Sequence, residues 1–138
     1  MISAFEGLYC ATLELVRSTP IKQRLVCAYR RHLASLTAEQ LPAEVREPFQ
    51  HLMATLQGVV PQRGEDAVVA SVRKMSNQEA DACAVHLVEV FGTTCKVLLN
   101  AARARAAVVQ LHAAEREPCA EMGEEISDYD VPALLGGR

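Results

Sequence analysis

Residues 76–114 read SNQEADACAVHLVEVFGTTCKVLLNAARARAAVVQLHAA, and no other stretch decides as much about how the chain folds. Ser76-Asn77-Gln78-Glu79 is a capping box: the serine hydroxyl can accept from a free amide of the first turn while the glutamate reaches back to the serine amide. Behind it Ala80, Cys83, Ala84, Leu87, Val88 and Phe91 recur at spacings of three and four, the period of one helix face. Gly92-Thr93-Thr94 is the one interruption before 114, and the second half is rich in alanine, the strongest helix former. A continuous helix over 77–114 would be about 57 Å long at about 1.5 Å per residue, against about 30 Å for a small domain. Two outcomes follow: a bend at Gly92, or a helix that outreaches the body.

Most of the circumference of this segment is apolar. One row holds Leu87, Phe91, Cys95, Leu98, Ala102, Ala106 and Val109; a second holds Val90, Thr94, Val97, Ala101, Ala104, Val108 and Leu111. Lys96, Arg103 and Gln110, with Asn100 beside them, make a narrow polar stripe, and Arg105 intrudes on the first row. A helix apolar around so much of its surface must be covered on more than one side, and its alanines let another helix come close. Val97, Leu98, Ala101, Ala104, Val108, Val109 and Leu111 are therefore the candidate interface. The expected partner is another protein or a second copy, a homodimer being the commonest closed assembly. The competing reading is the central helix of a monomeric bundle.

Working outward, the rest of the chain also has helical period, and apolar residues nowhere alternate over five or more positions as in a half-buried strand. The fold class expected is all-α: a small bundle of about four to five helices with a long C-terminal helix. Ser3-Ala4-Phe5-Glu6 is another capping box, followed by Phe5, Leu8, Tyr9, Thr12, Leu13 and Val16 as the apolar face of a helix over about 4–17. Thr19-Pro20 restarts the chain, with threonine as cap and proline at the first helical position. The stripe of the second helix is Ile21, Leu25, Ala28, Tyr29, either His32 or Leu33, and Leu36. Thr37-Ala38-Glu39-Gln40 repeats the capping pattern and predicts a single turn before a third helix over about 42–57, with Val45, Phe49, Leu52, Met53 and Leu56 inward. Pro48 inside it predicts a kink or break near 46–47. Gly58 is the expected left-handed cap, 59–65 a loop, and 65–74 a short helix.

Beyond Glu117-Pro118 the sequence turns acidic and loses its period. Residues 115–138 carry seven acids against two arginines, a net −5 that leaves +2 on residues 1–114 and −3 on the whole chain. The domain expected is therefore 1–114, with 115–138 a flexible acidic tail.

Composition excludes several functions. With 138 residues, 50% hydrophobic and 22% charged, the chain fits one globular domain that needs no disulfide or metal to hold it together. Aromatics are 4% and tryptophan is absent, which argues against a stacking platform for nucleic acid. The basic pairs Arg30-Arg31, Arg73-Lys74 and Arg103-x-Arg105 are scattered rather than gathered on one recognition helix. No 18 residues run without a charge, since 82–102 includes His86, Glu89 and Lys96, so no membrane span is expected. Met1-Ile2-Ser3-Ala4-Phe5-Glu6 lacks the basic and apolar regions of a secretory signal. Five cysteines without a C-x-x-C pair read as reduced thiols, and the expected location is the cytoplasm.

Residues able to carry chemistry are few. Cys83-x-x-His86 and Cys27-x-x-x-x-His32 each offer half of a zinc site, with no second well-spaced pair to complete it, so no metal or other cofactor is expected. There is no glycine-rich phosphate loop, no G-x-S-x-G elbow and no H-E-x-x-H helix. The expected function is non-enzymatic: a helical adaptor or regulator working by protein–protein interaction. The alternative is a small enzyme or ligand-binding protein using Cys27, His32, Cys83 and His86.

Overall fold

A computed structural model describes residues 3–116, and over these the chain is all-α. Its helices are α1 (Ala4–Leu15), α2 (Ile21–Ala28), α3 (Ala43–Leu56), α4 (Ala67–Lys74) and α5 (Asn77–Arg116). The chain divides into two compact units, Met1–Leu99 and Asn100–Arg138. The first holds α1 to α4 and the start of α5; the second, over the described residues, is the helical stretch 100–116. The tail expected from 115 onward lies outside the described residues, apart from 115 and 116, which continue α5.

The caps form as the sequence predicts. In α1 the Glu6 amide donates to Ser3 Oγ at 3.2 Å and the Ser3 amide donates to Glu6 Oε2 at 3.0 Å. At the start of α5 the Glu79 amide donates to Ser76 Oγ at 3.1 Å while the Ser76 amide donates to Glu79 Oε2 at 2.7 Å. Thr37 and Gln40 close a 3-10 turn over 38–40, the Thr37 amide donating to Gln40 Oε1 at 3.1 Å. The cap of α2 differs from expectation: Pro20 itself occupies the position before the first helical residue, with no side-chain cap.

The core of the first unit is one cluster. Leu8, Ala11 and Leu15 of α1 meet Leu25 and Ala28 of α2, Val45, Phe49, Leu52 and Leu56 of α3, Val68 and Val72 of α4, and Ala80, Cys83, Leu87 and Val90 of α5. Each leucine or valine so buried contributes about 1.5–3 kcal/mol. Met53, expected inside, only packs against the rim. The larger correction is α1. Phe5, Tyr9, Leu13 and Val16 are exposed, and the inward row is Leu8, Ala11 and Leu15. Two adjacent apolar rows share Leu8, and the bundle covers only one.

Three local features depart from plain helix. Pro48 stays inside an unbroken α3; it costs one backbone bond, which the burial of Val45, Phe49, Leu52 and Leu56 on the same helix offsets. Gly58 does not adopt a left-handed conformation, and the positive φ in this region belongs to Gly64, at 77°. A Cβ on Gly58 would lie 3.1 Å from the Ala54 carbonyl oxygen, so close approach to the end of α3 explains that glycine. The third is a π turn over Tyr29–Leu33, in which the Ala34 amide donates to the Tyr29 carbonyl, five residues back, at 2.8 Å. The extra residue turns Leu33, 1% exposed, into the core position that an unbroken α-helix four residues beyond Ala28 would give His32.

α5 runs through Gly92-Thr93-Thr94 without a break. The buried Thr94 hydroxyl donates to the Val90 carbonyl at 2.8 Å, so this polar side chain enters the core with its donor satisfied. α5 is also long and apolar enough to cross a membrane by length and composition, with an 18-residue window of mean hydropathy 1.5 that is 22% buried. The expectation that its charges exclude a span is too strict, because hydropathy averages over the window and the valines and leucines outweigh Glu89 and Lys96.

Candidate functional site

Within the first unit, α5 buries a row spaced alternately by three and four: Ala80, Cys83, Leu87, Val90 and Thr94. Phe91 borders it and packs on α1, its ring centroid 5.5 Å from Phe5 and 5.9 Å from Tyr9. On the other flank His86 lies against His51 of α3, ring centroids 5.5 Å apart and tilted by 45°. These contacts leave the remaining side of α5 uncovered: Val85 is 57% exposed, Val88 49%, Leu98 43% and Leu99 52%.

The described residues of the second unit carry the same kind of side chain. Every described side chain from 102 to 114 is exposed, including Val108 at 51% and Val109 and Leu111 at 66% each. Of the seven candidate interface residues, Leu98, Ala104, Val108, Val109 and Leu111 are therefore exposed, while Val97 and Ala101 are half-buried. Val85, Val88 and Leu99 were not among the candidates. Their signal was present as a row at 85, 88, 92, 95 and 99, but a row interrupted by Gly92 and Cys95 is weak beside the bulkier ones.

The four candidate chemical residues do not form one site. Among the described residues no group of three or more His, Cys, Asp or Glu is arranged to hold a metal ion. His32 Nε2 lies 3.8 Å from Glu14 Oε1, and that carboxylate is occupied, accepting from Arg31 Nη1 at 3.1 Å and pairing with Arg17 Nε at 3.0 Å. Burial works to raise the Glu14 pKa, but the Arg31 hydrogen bond and the charges of Arg17, Arg31 and His32 outweigh it and hold the group below the ordinary carboxylate value. Glu14 thus locks α1 to the π turn, and His32 belongs to this ion cluster while Cys27 sits half-buried on α2.

Cys83 and His86 do share a cleft of about 260 Å³ with Glu79, His51, Thr55 and Met75. Sequence spacing could not have found His51, which comes from another helix. Burial first, and then the nearby charge of Glu79, push the Cys83 thiol up, so at neutral pH it is protonated and a poor nucleophile. Glu79 itself is held below the ordinary carboxylate value by its two hydrogen bonds with Ser76, against partial desolvation and with help from Lys22. It is engaged as a cap, not poised as a general acid.

Three arginines of the basic pairs are also engaged. Arg30 pairs with Asp66, Arg31 with Glu14 and Arg73 with Glu65. Positive charge in the body is thereby offset locally, leaving no continuous basic face among these residues. Comparison with protein-family models, with curated proteins and with solved structures finds no match to this chain.

Proposed function

We propose that the protein is a non-enzymatic interaction module, an adaptor or regulator, that works through the uncovered side of α5 and first of all binds a second copy of itself. The observation that carries this reading is the exposure of four large apolar side chains on one side of α5 within the first unit: Val85, Val88, Leu98 and Leu99. Contiguous apolar surface of this kind on a folded chain is the mark of an interaction site. Covering a few such side chains at about 1.5–3 kcal/mol each can outweigh the cost of association. The alternative, a Cys83–His86 enzyme or ligand site, has the shared cleft in its favour and the protonated, buried thiol against it.

A cytoplasmic setting belongs to the same proposal. Its supports are the free thiols at Cys10, Cys27, Cys83 and Cys95 and the charged Glu89 and Lys96 on the outer part of α5. The test is sedimentation of the purified full chain at about tens of micromolar, where weak association becomes visible, beside flotation with phosphatidylcholine vesicles. A dimer or higher oligomer that stays with the aqueous fraction is expected, and Val88→Asp with Leu99→Asp, both exposed side chains, should weaken it while the helical circular dichroism persists. A monomer in solution, or a chain that floats with the vesicles, defeats the proposal.

A further inference from the structure

We infer that two copies of this chain pair antiparallel across the outer face of α5, with Gly92 of each seated against Cys95 of the other and Glu89 of each beside the opposite Lys96. The inference rests on the self-association proposed above and adds its surface, direction and register.

Four positions define the face: Val88, Gly92, Cys95 and Leu99, spaced four, three and four. That is the spacing of a seam between two helices, and it lies on the side of α5 away from the buried row at Leu87, Val90 and Thr94. Gly92 is the telling residue. A glycine inside a helix costs about 0.5–1 kcal/mol relative to alanine, and a Cβ built on Gly92 meets nothing within 4 Å. Packing within the chain therefore gives no reason for it. A second helix passing close to the backbone does.

Charge selects the direction. Glu89 and Lys96 flank the seam on one side, and neither forms an ion pair among the described residues. In a parallel, in-register pair each would face an apolar flank, Ala84 or Phe91 of the other copy, and Gly92 would face Gly92 across a gap. In an antiparallel pair the flanking positions on this side face their own kind. Of the registers that keep the seam aligned, shifting by one heptad either way sets Glu89 against Glu89 or Lys96 against Lys96. The register between them sets Glu89 against Lys96 twice over. The same register places Val88 against Leu99, Gly92 against Cys95, and Phe91 against Leu98 on the opposite flank. The exposed Phe5 and Tyr9 rings, already packed on Phe91, border that flank and widen the contact.

The test is a charge-swap cycle read by sedimentation equilibrium on the full chain: wild type, Glu89→Lys, Lys96→Glu and the double variant. Each single reversal replaces two attractions by two repulsions and is expected to weaken the dimer about tenfold at low salt; the double variant should return to within about twofold of wild type. A second measurement, in a background lacking the native cysteines and checked for helical circular dichroism, mixes Val88→Cys with Leu99→Cys chains under mild oxidation. Antiparallel pairing yields the mixed disulfide alone, whereas 88–88 or 99–99 products would show parallel pairing and overturn the inference. A wild-type dimer whose single reversals have no effect, or whose double variant is the weakest, overturns the register while leaving self-association standing. A wild-type monomer removes both.

Discussion

The two parts of α5 carry much the same pattern and meet opposite fates. Between Ala80 and Thr94 the alternate spacing of three and four ends in side chains 0–7% exposed. Between 102 and 114 that spacing continues through Ala104, Val108 and Leu111, and all of it is exposed. Periodicity in a sequence therefore identifies a face but not what covers it. In the first part the cover is α1 and α3 of the same chain; in the second no described element supplies it.

The sharpest way to break this contrast is to remove one side chain from each part. Leu87→Ala should cost about 2–5 kcal/mol of folding stability in urea unfolding, because a cavity opens in the core at a residue only 1% exposed. Val108→Ala, at 51% exposure, should change the stability of the monomer by less than about 0.5 kcal/mol. Equal losses would show that the outer stretch is as much part of the folding core as the inner one.

Acid provides a second contrast. Glu14 and Glu79 both have folded pKa values below the ordinary one of about 4.5. A depressed carboxylate stabilises the fold fully above its unfolded value, and that contribution disappears as pH falls through the folded value. The midpoint of urea unfolding should therefore be flat at neutral pH and fall below about pH 4.5, and Glu14→Gln should shallow that fall. Residues 100–114 contain no acid, so their helicity has no carboxylate to lose. An unchanged acid limb in the Glu14→Gln chain would show that the Arg31 and Arg17 contacts do not favour folding.

The smallest effect is the most discriminating. Gly92→Ala should raise the melting temperature of the dilute monomer, by the equivalent of about 0.5–1 kcal/mol, since the added methyl has open space. At concentrations that support the dimer it should instead weaken association. A gain in both measurements would mean that no second helix approaches there.

Much of the fold was legible because its signals are local. The three capping patterns at Ser3, Thr37 and Ser76 need only four residues each, and all three close as hydrogen-bonded boxes or turns. Wherever the answer depended on a distant element, the sequence was silent or misleading. The row Phe5, Tyr9, Leu13 has the same period as Leu8, Ala11, Leu15, and only the position of α2 and α5 decides which turns inward. The intrinsic penalty of Pro48 predicts a kink, and the burial around it outweighs that penalty. α5 exposes five of the candidate interface residues and also Val85, Val88 and Leu99, which periodicity does not single out because the circumference left free depends on where α1 and α3 sit.

The π turn at Tyr29–Leu33 has a consequence for how this chain could vary in length. Leu25, Ala28, Leu33 and Leu36 keep to one side only because the turn absorbs a residue that a straight helix has no room for. A chain lacking Arg30 would close the turn into ordinary α-helix, with leucine still four positions beyond Ala28 and the core unchanged. An added residue in the middle of α3 or α5 would instead rotate everything after it by about 100° and expose half of what is buried. Tolerance of deletion in this protein is therefore expected inside a helix as well as in the loop around Gly64, at the five residues where the helix is already wound one residue too wide.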